Sequence, residues 1–268
     1  MSLPAPAPDT TILITGASSG IGRELARRLS GRGHDLTLTA RRAERLDALA
    51  EDLRLAHGTH VEVRAADVAD PGARGELIEE LRAGGRDVIG VCNNAGFGTY
   101  GRFQELDLGR EQLEVHTNVE AVHHLTGAFL PEMVQRGAGA ILNVASSAAF
   151  QPLPFNATYA ATKAFVLSFS EAVHTDLGGT GVSCSALCPG PVRTEFADVA
   201  GMGGLDDNAP DLLWQSAEEC ARDGVEAMIK GKRTVVPLLA NKLTASAGRI
   251  TPRSLLLPVV KLVYGRLG

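Results

Sequence analysis

Residues Thr11 to Thr15 form a short apolar run, TILIT, that stops at Gly16; after TGASSGIG an apolar period of helical type runs from Ile21 to Leu29. Strand, glycine turn and helix in that order leave few folds open, because a helix after a strand returns the chain to a parallel neighbour by a right-handed crossover. The pattern repeats. Leu36 to Ala40 precedes a helix through Leu46, Leu49 and Leu53 that ends near Gly58. Val61 to Ala65 precedes Asp70-Pro71, a cap and first-turn pair for a helix to about Leu81. Val88 to Cys92 is a fourth strand, and a long helical pattern from about Glu111 to Arg136, with a bend expected near Pro131, leads to a fifth at Ala140 to Ala145. A helix from about Ala157 to Leu177, capped by Asn156, a sixth strand at Val182 to Cys188, a helix opened by the capping box Ser216/Glu219, and a short strand at Thr234 to Pro237 complete the series. The expectation is an α/β fold, a doubly wound parallel sheet covered by helices on both faces.

Composition narrows the function. Of the 268 residues 44% are hydrophobic and 21% charged, enough apolar side chains for one large core and against global disorder. The net charge of −5 comes without a basic block, so no nucleic acid partner is expected. Cys92, Cys184, Cys188 and Cys220 lie in or beside apolar segments with no CxxC pair, and read as buried thiols rather than a zinc site. His116, His123 and His124 share one helix without carboxylate or cysteine partners at ligand spacing; no metal is expected. The leader MSLPAPAPDT lacks the basic and apolar regions of a secretory signal and reads as a mobile arm. Leu255 to Tyr264 is about half the length that spans a bilayer and is interrupted by Pro258 and Lys261. A cytoplasmic protein without a transmembrane segment is expected.

Ligands of open parallel sheets bind at the carboxyl ends of the strands. Here those ends carry TGASSGIG (Thr15 to Gly22), Arg41-Arg42, Asp67-Val68, NNAG (Asn93 to Gly96), Ser146-Ser147 and PGPVRT (Pro189 to Thr194). Gly16, Gly20 and Gly22 allow a ligand close to the first helix N-terminus, where unpaired N–H groups and the helix dipole attract a pyrophosphate. Where an NAD-binding chain places a carboxylate for the ribose 2′-hydroxyl, this one has TLTARR. Arg41 and Arg42, helped by Ser18 or Arg23, suit a 2′-phosphate, which favours NADP; otherwise the arginines merely solvate the next helix start.

Tyr159 and Lys163 stand at i and i+4 and share a helix face. A free phenol has a pKa of about 10, and a nearby ammonium lowers it, which would let the tyrosine hand a proton to a carbonyl oxygen. Ser146, thirteen residues before Tyr159, can place a hydroxyl beside that phenol. Ser147 is its rival. Asn118, among Val115, Val119 and Val122, reads by itself as either a helix defect holding a water or a surface residue, the surface reading being preferred.

Together, Thr15 to Gly22, Asn93 to Gly96, Ser146, Tyr159-Ala160-Ala161-Thr162-Lys163 and Pro189 to Thr194, in this order, resemble the short-chain dehydrogenase/reductase family over residues 10 to 237. The resemblance implies a single Rossmann-like domain with a seven-stranded sheet. It implies a catalytic tetrad of Asn118, Ser146, Tyr159 and Lys163: tyrosine as acid/base, serine orienting the carbonyl, lysine on the nicotinamide ribose, asparagine holding a relay water. The cofactor contacts it implies fall on Gly16, Ser18, Ser19, Gly20, Ile21 and Gly22, on Arg41 and Arg42, and on Tyr159 and Lys163. Asp67 and Val68 would flank the adenine, Asn94, Ala95 and Gly96 its ribose, and Pro189, Gly190, Val192 and Thr194 the nicotinamide, while Asn93 would brace the sheet. TARR is similar to NADP-using members, and the apolar tail to the branch of ketoacyl and hydroxysteroid reductases. A homodimer or homotetramer is implied. The corresponding layout is a leader (1–10), a domain (11–237) with a substrate loop near 195–215 holding Trp214, and an apolar extension (238–268) packing on the same domain. That extension could close the pocket, pack between protomers or rest on a membrane. The expected function is hydride transfer between NADP(H) and a carbonyl or secondary alcohol, largely apolar. The alternative from another class is an NADP(H) sensor or scaffold without turnover; an epimerase or dehydratase would use the same tyrosine and lysine.

Overall fold

The computed structural model describes residues 3–201 and 214–264. Seven strands, β1 (Thr10–Thr15), β2 (Leu36–Thr39), β3 (Val61–Val63), β4 (Asp87–Asn93), β5 (Gly139–Val144), β6 (Val182–Leu187) and β7 (Thr234–Val235), form one sheet in the order β3-β2-β1-β4-β5-β6-β7, every pair parallel. The order reverses between β1 and β4, so the crevice above the carboxyl ends of these two strands is where such a sheet takes a ligand. This is the Rossmann-like single domain.

Side-chain alternation along the strands feeds two apolar layers. Ile12 and Ile14 of β1 face α1 (Gly20–Ser30), α2 (Ala43–His57) and α8 (Ala217–Lys230) through Leu25, Leu46 and Val225. Leu13 faces the other way, toward α3 (Pro71–Ala83) and α5 (Ala121–Arg136), with Leu77, Leu125 and Phe129. α6 (Ala157–Asp176) packs Val166 and Leu167 beside β6. All four cysteines are buried and free, as their apolar surroundings implied.

The caps largely follow the sequence. Asp70 accepts from Ala73 N at 2.6 Å, and the Ser216/Glu219 box closes in both directions. Asn156 occupies the N-cap position of α6, but its amide donates to Thr99 O instead of capping. The leader is not a free arm from residue 3 on: Leu3 is buried in the core of α1 and α8, and its N–H donates to Met228 O at 3.2 Å. A single leucine with an apolar slot to enter is enough to anchor so short a segment.

The long helical pattern before β5 starts earlier than the sequence suggested and is divided. α4 (Leu108–Val115) passes into a π turn at His116–Glu120, where Ala121 N–H reaches back five residues to His116 O, and continues as α5 straight through Pro131. The change of helix type thus falls at Asn118, while Pro131 lies inside α5 without ending it. After β6 come the short α7 (Phe196–Val199), then α9 (Leu239–Ile250) and α10 (Arg253–Tyr264). Ala245 of α9 and Val260 of α10 are buried against the domain. Among the described residues no helix is long and apolar enough to cross a membrane. Most of the expected substrate loop, 202–213, lies outside the described residues.

Candidate active site

At the end of β1 the chain turns through Gly16, with φ at +65°, and Gly20, with φ at +53°, both in the left-handed region that glycine tolerates. The NNAG segment builds this turn. Thr15 Oγ1 accepts from Asn94 N and Ala95 N, both at 2.9 Å, and Asn94 Nδ2 donates to Thr15 O at 3.0 Å. Asn94, expected at the ribose, therefore has its amide turned inward to the glycine turn. Asn93 braces the sheet as expected, donating to Asn143 Oδ1 at 2.9 Å and Thr126 Oγ1 at 3.1 Å.

Arg42 lies over the turn. Its guanidinium donates to Ser18 Oγ at 3.1 Å and Ser19 Oγ at 2.9 Å, with Arg41 exposed next to it. Two hydroxyls and a guanidinium beside the open N-terminus of α1 form a donor set suited to phosphate oxygens. Asp67 accepts from Ala69 N at 3.0 Å in a turn at the end of β3, beside buried Val68.

The four residues of the implied tetrad converge on the ends of β4 and β5. Asn118 is fully buried, not a surface residue. Within the π turn its Oδ1 accepts from Phe97 N at 3.2 Å, and its Nδ2 donates to Phe97 O at 2.9 Å and Thr162 Oγ1 at 3.1 Å. It thereby ties the loop after β4 to α6. Lys163, also buried, donates to Val144 O at 2.8 Å, and its Nζ lies 5.7 Å from the centre of the Tyr159 ring. Burial lowers its pKa to about 8, against an opposing pull from Glu114. Ser146 ends β5 and accepts from Ala148 N at 3.1 Å, which fixes its oxygen and leaves the hydroxyl proton to be donated elsewhere. Gly96 is packed into this group: a Cβ there would lie 2.9 Å from Asn118 Oδ1 and 3.3 Å from Lys163 Nζ.

Apolar surfaces flank the phenol. Phe196 tilts against the Tyr159 ring at 5.3 Å, and Leu153 and Leu256 belong to the cluster that Tyr159 packs on. A cleft of about 220 Å³, with no residue of the tetrad in its wall, opens between the loop after β4, α4 and α7 and is lined by Tyr100, Arg110 and Asp198. Gly190 of PGPVRT packs so closely on Asn241 of α9 that a Cβ would lie 2.1 Å from its amide, so the C-terminal extension reaches the edge of the site. Trp214 stacks with the Arg193 guanidinium at 5.1 Å, beside the bridge between Val192 and Gln215.

Three features had no sequence forecast. Glu111 and Glu114 of α4 are buried under the site; Thr99 Oγ1 donates to Glu114 at 3.0 Å, and burial raises the Glu114 pKa to about 7. Phe196 caps the tyrosine. Glu195 joins Arg42 and Arg45 at 2.8 and 2.7 Å. Among the described residues no three His, Cys, Asp or Glu are placed to hold a metal ion.

Comparison with known proteins identifies the family. The family model of short chain dehydrogenases matches residues 10–202. Sulfoacetaldehyde reductase 2 of Chromohalobacter salexigens is 39% identical over 220 residues, covering 81% of this chain and 86% of that protein. The NADP-dependent 3-hydroxy acid dehydrogenase of Salmonella typhi is 38% identical over 199 residues, 70% of this chain and 75% of its own. Among solved structures, a short-chain dehydrogenase from Sphingobium yanoikuyae in complex with NADPH superposes with a TM-score of 0.81 at 34% identity, covering 93% of this chain and 95% of that one. With the motifs in order on the expected strand ends and the match spanning most of its length, the chain belongs to the short-chain dehydrogenase family.

Proposed function

We propose that this protein is an NADP-dependent oxidoreductase that reduces a carbonyl compound to a secondary alcohol, reversibly, with Tyr159 as proton donor. The observation that carries the reading is the placement of a buried lysine against the tyrosine ring, held by Val144 O, with Ser146 on the adjoining strand end. At neutral pH a lysine of pKa about 8 is mostly an ammonium, and its charge favours the phenolate and lowers the phenol's pKa toward a useful acid. Ser146 donates to the carbonyl oxygen as it gains charge. Asn118 holds the loop after β4 in register with α6, which keeps Lys163 and the mouth of the site together.

The residues present fit NADP. Ser18, Ser19, Arg41 and Arg42 offer donors to phosphate, the N-terminus of α1 faces the pyrophosphate position, and Gly22 lets the first helix turn pack on Gly16 O and the Asn94 amide, where a Cβ would lie within 2.5 Å of both. Ile21, Asp67, Val68, Ala95, Gly96, Pro189, Gly190, Val192 and Thr194 complete the proposed contacts. When bound, NADPH supplies the hydride. The names of relatives and neighbours, an NADP-dependent dehydrogenase and a complex with NADPH among them, support this assignment.

Phe196, Leu153 and Leu256 around the phenol support a substrate with an apolar part next to its carbonyl. Exposed Leu255, Val259 and Leu262 along α10 favour a covered face, such as a homodimer or homotetramer in the cytoplasm provides. The test is NADPH and NADH consumption against ketones, aldehydes, steroids and 3-ketoacyl thioesters, with Tyr159→Phe alongside. Turnover with NADPH that vanishes in Tyr159→Phe while NADPH binding persists supports the enzyme. Undiminished turnover in the variant refutes the role of Tyr159, and silence of the native protein despite NADPH binding moves the reading to a sensor or scaffold.

A further inference from the structure

Three consecutive residues after β6 touch three separate parts of the site. Thr194 covers the glycine turn, where a Cβ on Gly20 would lie 3.1 Å from its methyl group. Glu195 places one carboxylate oxygen 2.8 Å from Arg42 and the other 2.7 Å from Arg45. Phe196 lies against the ring of Tyr159. Arg42 is the same side chain that bonds Ser18 and Ser19, so the Glu195 carboxylate completes an anion site already supplied with guanidinium and hydroxyl donors. The two arginines hold its carboxyl at a pKa of about 2, so it is ionised throughout the working range.

We propose that the Glu195 carboxylate occupies the place of the cofactor's 2′-phosphate beside Arg42, that a 2′-phosphate must displace it, and that its release draws Phe196 off Tyr159. The proposal rests on the reading of Arg42 as a 2′-phosphate ligand. The carboxylate and the phosphate would compete for the donors of one guanidinium and repel each other, so a 2′-phosphate on Arg42 weakens the hold of that guanidinium on Glu195. Residues 195 and 196 are adjacent, so movement of one carries the other. NADH has no 2′-phosphate with which to compete for Arg42 and would leave Phe196 over the phenol. Cofactor discrimination would then reside partly in opening the carbonyl site, not in phosphate attraction alone.

The experiment is isothermal titration of 2′,5′-ADP and of 5′-ADP into the native protein and Glu195→Gln, with Trp214 emission followed in the same titrations. Trp214 is the chain's single tryptophan and stacks with Arg193, two residues from Glu195. Exposed ion pairs of this kind are weak, so Glu195→Gln is expected to bind 2′,5′-ADP about three- to tenfold more tightly, with 5′-ADP unchanged. Ligand-free Glu195→Gln should show the Trp214 emission of the native protein bound to 2′,5′-ADP. Equal or weaker binding of 2′,5′-ADP by the variant overturns the competition, and tighter binding with no difference in Trp214 emission overturns the link to Phe196. A native protein that binds 2′,5′-ADP no better than 5′-ADP removes the NADP reading itself, and the proposal with it.

Discussion

Replacing Glu114 by glutamine should make the protein more stable above pH 7 and leave it unchanged at pH 4. Glu114 is fully buried beneath the site, with Thr99 donating to it and Glu111, Lys163 and Arg110 around it. Burial raises its pKa from 4.5 to about 7; Glu111 adds to this, while Thr99, Lys163 and Arg110 oppose it. Below pH 4.5 the carboxyl is protonated in both folded and unfolded chains and costs nothing. Between 4.5 and about 7 the unfolded chain releases the proton first, so stability falls by ~1.4 kcal/mol per pH unit, to a ceiling of about 3 kcal/mol. Above about 7 the loss is constant. Glutamine keeps an acceptor for Thr99 and never ionises. Buried His34, whose pKa is lowered by burial, gives the opposite slope near its own titration but is common to both proteins. Lys163, titrating from 10.5 down to about 8, leaves this window flat. Thermal unfolding from pH 4 to 8 should therefore show the gap in Tm between variant and native protein opening by roughly 5–8 °C across pH 4.5 to 7. A gap that stays constant with pH would refute the argument that burial holds a proton on Glu114.

Gly96→Ala should lower kcat by about 10- to 100-fold, because the new Cβ intrudes on Asn118 Oδ1 and Lys163 Nζ, both already fixed by other bonds; steady-state kinetics at saturating NADPH read it, and native kcat would show that the group gives way. Arg41→Asp combined with Arg42→Ala should move preference toward NADH in the ratio of kcat/KM values; equal loss with both cofactors would leave the arginines a supporting role only. Ser216→Ala removes one arm of the α8 capping box and should cost about 1 kcal/mol, seen in urea unfolding as a lower midpoint at unchanged slope.

Much of the fold was legible because its signals are local. Each strand is an apolar run ended by Gly, Pro or a polar pair, and each crossover helix carries its own period, so the element order follows with boundaries shifted by a few residues. The strand-end motifs likewise place the glycine turn, NNAG and Ser146 on one edge, and the i, i+4 spacing puts Tyr159 and Lys163 on one helix face, without knowledge of distant contacts. The π turn could not be read the same way. The pattern of apolar residues from Leu113 to Leu125 fits an ordinary helix nearly as well, and one inserted residue changes its phase without breaking it. Burial of Asn118 follows from that phase change; an amide among valines admits a helix defect there, but the surface reading suits the period as well and is the one preferred. Asn156 misled for another reason: the residue type suits a cap, but an acceptor on a distant loop, Thr99 O, claimed the side chain. The contact between Arg42 and Glu195 spans 153 residues and has no signature in either segment.

The π turn gives one stretch of chain two orientations. An added residue turns the helix before it by about 100° relative to the helix after it. Downstream, Val122, Leu125 and Phe129 point into the sheet; upstream, Glu111 and Glu114 are buried beneath the site, where Glu114 accepts from Thr99. Deleting a single residue between His116 and Glu120 would restore an unbroken α-helix and swing the two carboxylates out from beneath the site, or else drive the valine and phenylalanine off the sheet. The five-residue turn is thus a mechanical phase-shifter, and its length, more than the identity of its side chains, determines which face of the helix the active site sees.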